Sequence, residues 1–595
     1  MPDARVRRHK TDILILGSGG AGLFAALHAR RAAPQLEVTI AVKGLLGKCG
    51  CTRMVQGGYN VALAPGDSVE RHFMDTIEGG KWLPDQDLAW TLVTKAIERV
   101  HELENELGCF FDRNPDGTIH QKAFAGQTFD RTVHKGDLTG IEIINRLAEQ
   151  AWVSGAKRLE EHRAVDLVMD ATGHAVAGVQ MIDMRTGELV FVQARSVLLA
   201  TGGGPTMYRY HTPSGDKSCD GLAMALRAGL VLRDMEMVQF HPTGLLAGSG
   251  TRMTGTVLEE GLRGSGGHLL DGERRRFMEN YDPRGERATR DVVSRAILTE
   301  MRAGRASPAG GVYLSMAHLG PENVARQFKG MVERCADCGF DLAGGLVEVV
   351  PTAHYMMGGV EFAADGRTAL DGLFAAGEDT GGVHGANRLG GNGVANSTVF
   401  GAIAGDAMAA WTVAEGKWRE PAPHALDEAQ ARARFPVGRA AGSIEGVREA
   451  LYQLMWDDVG ILRDGKGLAR AHAKLAALDE ELRRIGIAGT DLRYNLTWHD
   501  WLNLSNLITV SGAICAAAQA RTDSRGAHFR EDFPETGNLE ASAFSRVRLS
   551  PSPPGAQGVE RGAGEGRSEG GMSFQVDFQP VKFTRVRPGQ TLLAA

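Results

Sequence analysis

The chain has 595 residues, of which 43% are hydrophobic, a globular composition with room for two to four domains. Its net charge is −6 and its N-terminal basic segment, Arg5 to Lys10, is short, so nucleic acid is not an expected partner. The sequence has only seven cysteines, no run of 18 apolar residues and no signal-peptide pattern. We expect a cytoplasmic protein from a reducing compartment, without a membrane span of its own, that could join a membrane through a complex.

The first predicted element is a buried parallel strand followed by a glycine-rich turn. Asp12 to Leu16 is apolar, and Leu23 to Arg31 carries alanine and leucine at helical spacing. Between them the turn reads Gly17-Ser18-Gly19-Gly20-Ala21-Gly22, which completes the order strand, G-x-G-x-x-G, helix. Such glycines allow a tight turn, close approach of phosphates and close packing of helix on strand, and the helix N-terminus offers N–H groups to an anion. The pattern predicts a dinucleotide site; the alternative is a glycine-rich turn in an ordinary α/β domain.

The second predicted strand indicates which nucleotide is bound. The strand predicted over Glu37 to Val42 ends on Lys43, whereas a nicotinamide site usually has an acid at this position. A second glycine-rich loop follows at Gly57 and Gly58. Flavin is therefore favoured over nicotinamide.

Between these loops and residue 240, helical and strand patterns alternate. Apolar spacing predicts helices over 68–107 and 138–153, and a β-meander over 165–192. A separate buried strand is predicted at 197–200. It leads into Thr201 and Gly202, where we expect the chain to rejoin the nucleotide-binding sheet.

The amino-acid composition changes twice in the second half of the chain. Segment 239–351 is rich in charges and isolated polar motifs and predicts an inserted domain, in which Cys335 and Cys338 favour a surface turn over a metal or redox pair. Glycine-rich sequence then returns, followed by a predicted apolar helix at 394–411 and amphipathic helices over 430–484. Segment 551–571 is rich in proline, glycine and serine and predicts a mobile excursion.

Seven motifs occur in an order that resembles the flavoprotein subunit of succinate dehydrogenase and fumarate reductase, and the related L-aspartate oxidases. They begin at residues 17, 200, 241, 260, 351, 384 and 524, and the resemblance covers about residues 12–534. It implies an α/β fold: a split Rossmann-like FAD-binding domain with an inserted α+β capping domain and a C-terminal helical domain. The expected division is 1–240 and 353–412 for the two parts of the FAD-binding domain, 241–352 for the capping domain, 425–535 for the helical domain, and 536–595 for a tail with the mobile segment.

Fumarate reduction needs cations that hold two carboxylates and a group that delivers a proton. The resemblance assigns substrate binding to residues in glycine-rich loops: His241, His354 and Arg388. It makes Arg290 the proton donor, with Glu260 and Arg263 relaying protons from solvent. Arginine has a pKa far above neutral, so it can act as an acid only if a neighbouring carboxylate reprotonates it.

The resemblance also implies FAD contacts in loops from both halves of the chain. Ala164 is expected to contact adenine through its backbone, Asp220 matches another contact, and Glu378 is expected near the ribitol or ribose. The expected cofactor-binding residues are Gly17, Ser18, Gly19, Gly20, Ala21, Gly22, Lys43, Cys51, Thr52, Gly57, Gly58, Ala164, Thr201, Gly202, Asp220, Glu378, Gly393 and Val394.

The sequence departs from the family pattern at three places. Cys51 occupies the position of the histidine to which the family's dehydrogenases attach FAD, so the flavin is predicted to be non-covalent, with a cysteinyl thioether as the alternative. Glu259 stands where relatives commonly have a substrate-contacting threonine, and a carboxylate there would repel a dicarboxylate unless it were protonated or turned away. Gly393 and Val394 replace a serine–leucine pair that lies against the flavin.

The resemblance predicts an FAD-dependent oxidoreductase that interconverts fumarate and succinate, or a related C4 dicarboxylate. It would be the flavoprotein subunit of a complex and pass electrons to an iron–sulfur subunit, since its own cysteines lack cluster spacing. A soluble L-aspartate oxidase is the alternative enzyme. A non-catalytic flavin-binding protein within a larger complex is a third hypothesis, and the presence of His354, Arg388, Arg290 and Glu260 together argues against it.

Overall fold

The computed structural model describes residues 6–248, 250–550 and 572–593; the predicted mobile segment 551–571 lies outside them. The strands are β1 (Arg7–Leu16), β2 (Val38–Val42), β3 (Tyr59–Asn60), β4 (Gln121–Lys122), β5 (Thr132–Val133), β6 (Lys157–Glu160), β7 (His162–Met169), β8 (Val176–Asp183), β9 (Glu188–Leu199), β10 (Leu232–Arg233), β11 (Val238–Leu245), β12 (His268–Leu270), β13 (Val312–Ser315), β14 (Leu346–Met356), β15 (Gly359–Val360), β16 (Leu373–Ala375), β17 (Ala543–Leu549) and β18 (Phe574–Pro580). The helices are α1 (Gly20–Ala32), α2 (Val69–Gly79), α3 (Gln86–Asn105), α4 (Thr139–Val153), α5 (Asp220–Arg227), α6 (Gly261–Gly264), α7 (Arg290–Arg302), α8 (Pro321–Gln327), α9 (Lys329–Asp337), α10 (Asn392–Ala414), α11 (Pro423–Arg434), α12 (Glu445–Asp458), α13 (Gly465–Arg484) and α14 (Leu496–Ala520).

A seven-stranded sheet carries the glycine-rich turn. Its strands lie in the order β6-β2-β1-β9-β8-β7, with β16 also paired to β9. β1 is parallel to both β2 and β9. Ile13 and Ile15 face the core that contains α1 and α10, whereas Leu14 and Leu16 face the core that contains α5. Because both faces of this strand are covered, its sequence is continuously apolar rather than alternating.

The prediction of two separate strands at 189–192 and 197–200 is wrong. β9 runs unbroken from Glu188 to Leu199. The polar residues between the two apolar runs are bonded to other elements: Gln193 donates to Arg419 O at 2.7 Å and Arg195 to the Asp12 carboxylate at 3.0 Å. These partners satisfy polar side chains within the strand, so no turn is needed there.

The inserted segment forms a second sheet of order β11-β14-β13-β12, packed with α6 to α9 around its own core. Cys335 is buried in that core as part of α9, and Cys338 follows the helix, so the surface-turn interpretation of this pair is wrong.

The predicted domain boundaries at 240/241 and 352/353 fall inside β11 and β14, which pair with each other. β16, from beyond the insertion, joins β9 of the first sheet. We propose the same division of the chain into domains, with the two boundaries of the inserted domain inside β11 and β14.

The longest helix of the C-terminal part was not predicted. Its buried side chains face all sides of the helix, so the sequence shows no amphipathic period. Within the described residues, α14 is the one helix long and apolar enough to cross a membrane, and 83% of its most apolar window is buried inside the fold. It packs against α13 and α5 in the large core that also contains β8 and β9.

The described parts of the predicted tail are integral to the fold. β17 and β18 form a hairpin, and β17 also pairs with β10. Further on, the Gln86 side chain exchanges hydrogen bonds with the backbone of Val586, at 2.6 Å to its carbonyl and 3.1 Å from its N–H. The interpretation of 536–595 as a tail is therefore wrong for the described residues 536–550 and 572–593.

Candidate active site

The first glycine turn has the geometry that a dinucleotide needs. Gly17 has φ +112°, and a Cβ there would overlap the backbone of Ala200. A Cβ at Gly22 would overlap the Gly17 carbonyl, whereas the Cβ position of Gly19 meets only Thr52 Oγ1, at 3.6 Å. Gly17 and Gly22 thus pack against protein, and Gly19 leaves room for a ligand.

The N-terminus of α1 is open to that space. Its N-cap, Gly19, has no side chain to bond the first N–H groups, and the first turn contains no acid. Gly20 N–H donates to Thr52 Oγ1 at 3.1 Å. The remaining donors and the positive end of the helix dipole suit a pyrophosphate.

The second glycine loop is shaped by its neighbours. A Cβ at Gly57 would overlap the ring of Phe124, and one at Gly58, whose φ is +141°, would overlap the Val133 carbonyl. Gly57 and Gly58 therefore let the loop lie against the β3–β5 pair while it lines the same cavity as the first turn.

Thr201 and Gly202 follow β9 and are fixed by a carboxylate that the sequence did not single out. Asp379 accepts hydrogen bonds from the backbone N–H of both residues and from Thr201 Oγ1, at 3.0 Å for the hydroxyl. Burial raises the pKa of Asp379 to about 6, against the opposing effect of these donors. Asp379 thereby ties the end of β9 to the segment that follows β16.

Lys43 and Asp220 lie in the cavity wall, and they are bonded to each other. Lys43 Nζ donates to Asp220 Oδ2 at 2.8 Å and to Ser218 Oγ at 3.2 Å. Arg163 and Asn506 also donate to Asp220, at 2.9 and 2.7 Å. Burial alone would raise the pKa of Asp220, but the Lys43 and Arg163 cations hold it far below its ordinary value. Both side chains are thus largely occupied by protein partners.

The other predicted cofactor contacts line the same cavity, which extends to the catalytic residues. Glu378 accepts from Met356 N–H at 3.0 Å and Gly204 N–H at 3.3 Å, and burial raises its pKa to about 7. Burial raises the pKa of the Cys51 thiol to about 12. The cavity has a volume of about 730 Å³, and the residues of its wall include Ser18, Gly19, Ala21, Cys51, Thr52, Ala164, Glu378, Gly393, Val394, His241, His354, Arg388, Arg290 and Glu260. This volume is in the range of ligand sites, and the residues present fit a dinucleotide.

Glu260 lies between two arginines at one end of the cavity. Arg290 is the first residue of α7. Its Nε donates to Glu260 Oε1 at 3.1 Å, and its Nη2 donates to Glu260 Oε2 at 2.6 Å. Arg263, in α6, donates from Nη2 to Glu260 Oε1 at 2.9 Å. Burial alone would raise the pKa of Glu260, but the two guanidinium groups hold it below its ordinary value. The three predicted relay residues form one continuous chain.

The predicted substrate residues converge on the same space. His241 and His354 lie on the paired strands β11 and β14, with ring centroids 5.4 Å apart. Burial and the nearby arginines lower the pKa of both rings well below the ordinary value, so both are neutral. Thr243 N–H donates to His241 Nδ1 at 3.3 Å, which leaves the proton on Nε2. Arg388 is buried with no partner for its Nε among the described residues, and burial lowers its pKa to about 10. A buried guanidinium with a free donor suits a carboxylate ligand.

Sequence reasoning missed the residues that position these groups. Gln239 accepts from Arg290 Nη1 at 2.9 Å and donates to the Arg388 carbonyl at 2.7 Å. The Arg388 guanidinium lies 4.4 Å above the Tyr355 ring, and Thr212 Oγ1 lies 2.8 Å from His354 Nδ1. Gln239 and Tyr355 each stand two residues or fewer from a predicted site residue on β11 and β14, which is the signal that could have found them.

Glu259 does not present an isolated negative charge. Its carboxylate accepts from Lys122 Nζ at 3.0 Å, and the two side chains are 4% and 17% exposed. Burial raises the pKa of Glu259, while Lys122 opposes that shift. Because Lys122 belongs to β4 and Glu259 to the inserted segment, the ion pair joins the two parts of the chain at the cavity wall.

Comparisons with known proteins agree with this geometry. Residues 12–394 match the FAD binding domain family, and residues 448–591 match the fumarate reductase flavoprotein C-terminal family. The chain is 40% identical over 531 residues to a subunit of the fumarate reductase (CoM/CoB) of Methanothermobacter marburgensis, covering 89% of this chain and 95% of that protein. It is 36% identical to the 8-methylmenaquinol:fumarate reductase flavoprotein subunit of Wolinella succinogenes, covering 90% and 88%.

A solved structure of Escherichia coli quinol fumarate reductase superimposes with a TM-score of 0.88 at 31% identity, covering 98% of this chain and 99% of that one. The predicted α/β fold, with FAD as cofactor, is confirmed. The chain belongs to the family of FAD-dependent flavoprotein subunits of fumarate reductases and succinate dehydrogenases.

Proposed function

We propose that this protein reduces fumarate to succinate as the flavoprotein subunit of a multi-subunit complex. The observation that supports this most directly is the single cavity that runs from the Gly17–Gly22 turn to Arg388 and Arg290. FAD supplies the hydride chemistry when it is bound in the cradle of glycine loops. In the predicted non-covalent form, held without the histidyl bond that would raise its potential, it favours fumarate reduction over succinate oxidation.

The chain's own residues bind and orient the dicarboxylate. Arg388 grips one carboxylate through parallel hydrogen bonds, because its buried Nε lacks a protein partner among the described residues. His241 and His354 are neutral, and His241, whose Nδ1 accepts from Thr243 N–H, donates from Nε2 toward the substrate. The Arg388 cation and the histidine donor withdraw electron density from the double bond.

Arg290 donates the proton to the alkene carbon. Its Nε and Nη2 are both bonded to Glu260, an ionised carboxylate that takes a proton from Arg263 and passes it to the guanidinium after transfer. Arg263 bonds the other side of Glu260 and is the next group in the relay. Gln239 holds the remaining terminal nitrogen, so the position of Arg290 is fixed from two directions.

The electrons that fumarate reduction consumes would come from a partner protein. We infer that this partner is an iron–sulfur subunit, and that the protein is peripheral to a membrane only through the complex. This inference is supported by the similarity to subunits of multi-subunit fumarate reductases.

The function is tested with purified protein and a reduced viologen dye. Fumarate-dependent oxidation of the reduced viologen is expected, with much slower succinate-dependent reduction of a separate, high-potential acceptor dye. L-Aspartate with oxygen is the comparison for the alternative enzyme: faster oxidation of aspartate than reduction of fumarate would contradict the proposal. Arg284→Lys, which changes an exposed arginine near α7, serves as a control and should retain full activity.

A further inference from the structure

Three lysines line the cavity, and their surroundings differ. Lys43 is bonded to Asp220 and Ser218, as described above, and Lys48 is exposed. Lys217 has a side chain that is only 15% exposed, and it lies in the segment between β9 and α5. No motif of the sequence singled it out.

The ammonium group of Lys217 faces the glycine turns. Lys217 Nζ lies 3.9 Å from the position that a Cβ on Gly50 would occupy, and this same position lies 4.0 Å from Gly19 Cα. The stem of Lys217 packs against Gly204, and Thr206 Oγ1 donates to the Lys217 carbonyl at 2.6 Å, which fixes the backbone. The cation and Gly19, the residue that leaves room for a ligand at the N-terminus of α1, thus both border the Cβ position of Gly50.

Lys217 has weak partners for an ammonium with three donors. It donates to the Thr201 carbonyl at a long 3.4 Å, and its ion pair is with Asp216 at 3.8 Å, a carboxylate that is 38% exposed. Burial alone would lower the pKa of Lys217, but the acidic side chains around it raise that pKa above its ordinary value, so the group is charged. A largely buried charge with such contacts is stabilised when an anion completes its coordination.

We propose that Lys217 is the counter-cation of the FAD pyrophosphate and holds a flavin that lacks a histidyl bond. The proposal rests on the proposed non-covalent flavin enzyme. The α1 N-terminus supplies N–H groups but no full positive charge, and the nearby lysine at the end of β2, Lys43, is occupied by Asp220. Lys217, which lines the same cavity, supplies the missing charge.

The experiment distinguishes binding of the phosphate end of the cofactor from binding of the flavin ring. Apoprotein is prepared in a Cys51→Ala background, so that the flavin is exchangeable whatever its attachment, and is titrated with FAD, ADP and riboflavin. Lys217→Met should weaken FAD and ADP binding about 10- to 100-fold, the usual effect of losing a charged hydrogen-bond partner, and leave riboflavin binding unchanged. It should also reduce the salt dependence of ADP binding. Lys474→Met, an exposed site on α13, is the matched control and should change none of these.

Equal ADP affinity in Lys217→Met and its parent would overturn the proposal, as would an equal loss of riboflavin binding, which would place the lysine at the ring. If Lys217→Met does not fold, Lys217→Gln keeps a polar group at the end of the side chain but removes the charge. This variant must show the same loss of ADP binding. The outcome is distinct from that of the proposed function. A parent that binds FAD through Lys217 but does not reduce fumarate would contradict the function and leave the lysine's role intact.

Discussion

The buried pair of Lys122 and Glu259 gives a test of how this cavity tolerates a carboxylate beside an anionic substrate. Lys122→Met removes the cation and leaves the Glu259 carboxylate, 4% exposed, without its 3.0 Å partner. Breaking a fully buried pair costs about 3–5 kcal/mol, and because Lys122 is partly exposed we expect about 2–3 kcal/mol of stability to be lost. Substrate binding should weaken as well, since an unpaired carboxylate in the cavity wall repels a dicarboxylate.

We expect Lys122→Met to raise the KM for fumarate about tenfold or more, equivalent to about 1.4 kcal/mol or more. Burial raises the pKa of Glu259 and Lys122 opposes this, so removal of Lys122 raises the pKa further. Below that pKa Glu259 is neutral and repels nothing; above it the charge returns. The KM defect should therefore grow as the pH rises through the raised pKa of Glu259. Steady-state kinetics on both sides of that pKa measure it.

Glu259→Gln and the double variant complete a cycle. Glu259→Gln leaves Lys122 as a cation in the wall and should keep or lower the KM for fumarate. The double variant Lys122→Met with Glu259→Gln should return the KM close to that of the parent, because no unpaired charge remains. Lys95→Met, which breaks an exposed pair with Glu98, is the control. A KM for Lys122→Met that stays at the parental value at every pH would refute the reasoning.

Four further outcomes follow from the site. Arg290→Lys should keep flavin but lose about 100-fold or more in turnover, because lysine cannot hold the Glu260 contacts in the same plane; near-parental turnover would contradict its role. Arg388→Ala should mainly raise the KM for fumarate, by about 10- to 100-fold, and a loss of turnover at constant KM would indicate a chemical role. Gly393→Ser should also raise the KM, since a Cβ there comes within 2.9 Å of Arg388 Nη1; an unchanged KM would show that Arg388 can shift without loss. Acid precipitation should release FAD into the supernatant, whereas yellow protein in the pellet, lost in Cys51→Ala, would show a thioether.

The sequence by itself determined the cofactor and the class of enzyme. The Gly17 to Gly22 turn needs its glycines because a side chain would block the tight turn and the close packing of helix on strand in any such fold. The pattern alone was therefore enough to predict a dinucleotide site. Motif order placed His241, His354, Arg388, Arg290 and Glu260 in one enzyme family, and the structure brings all five to one cavity.

Tertiary structure decided what depends on contacts between distant segments. β9 remains one strand because Gln193 and Arg195 find partners on other elements, which no local pattern records. α14 has no amphipathic period because it is buried on every side, and the hairpin of β17 and β18 is held by β10, more than 300 residues earlier in the chain.

The charge state of the site was also decided in three dimensions. A carboxylate at Glu259 was expected to repel a dicarboxylate unless it were protonated or turned away, and the fold instead pairs it with Lys122 from 137 residues away. Lys43 and Asp220 were predicted as cofactor contacts, and the fold bonds them to each other across 177 residues. A side chain's charge is set by the groups within a few ångströms of it, and the sequence does not list those neighbours.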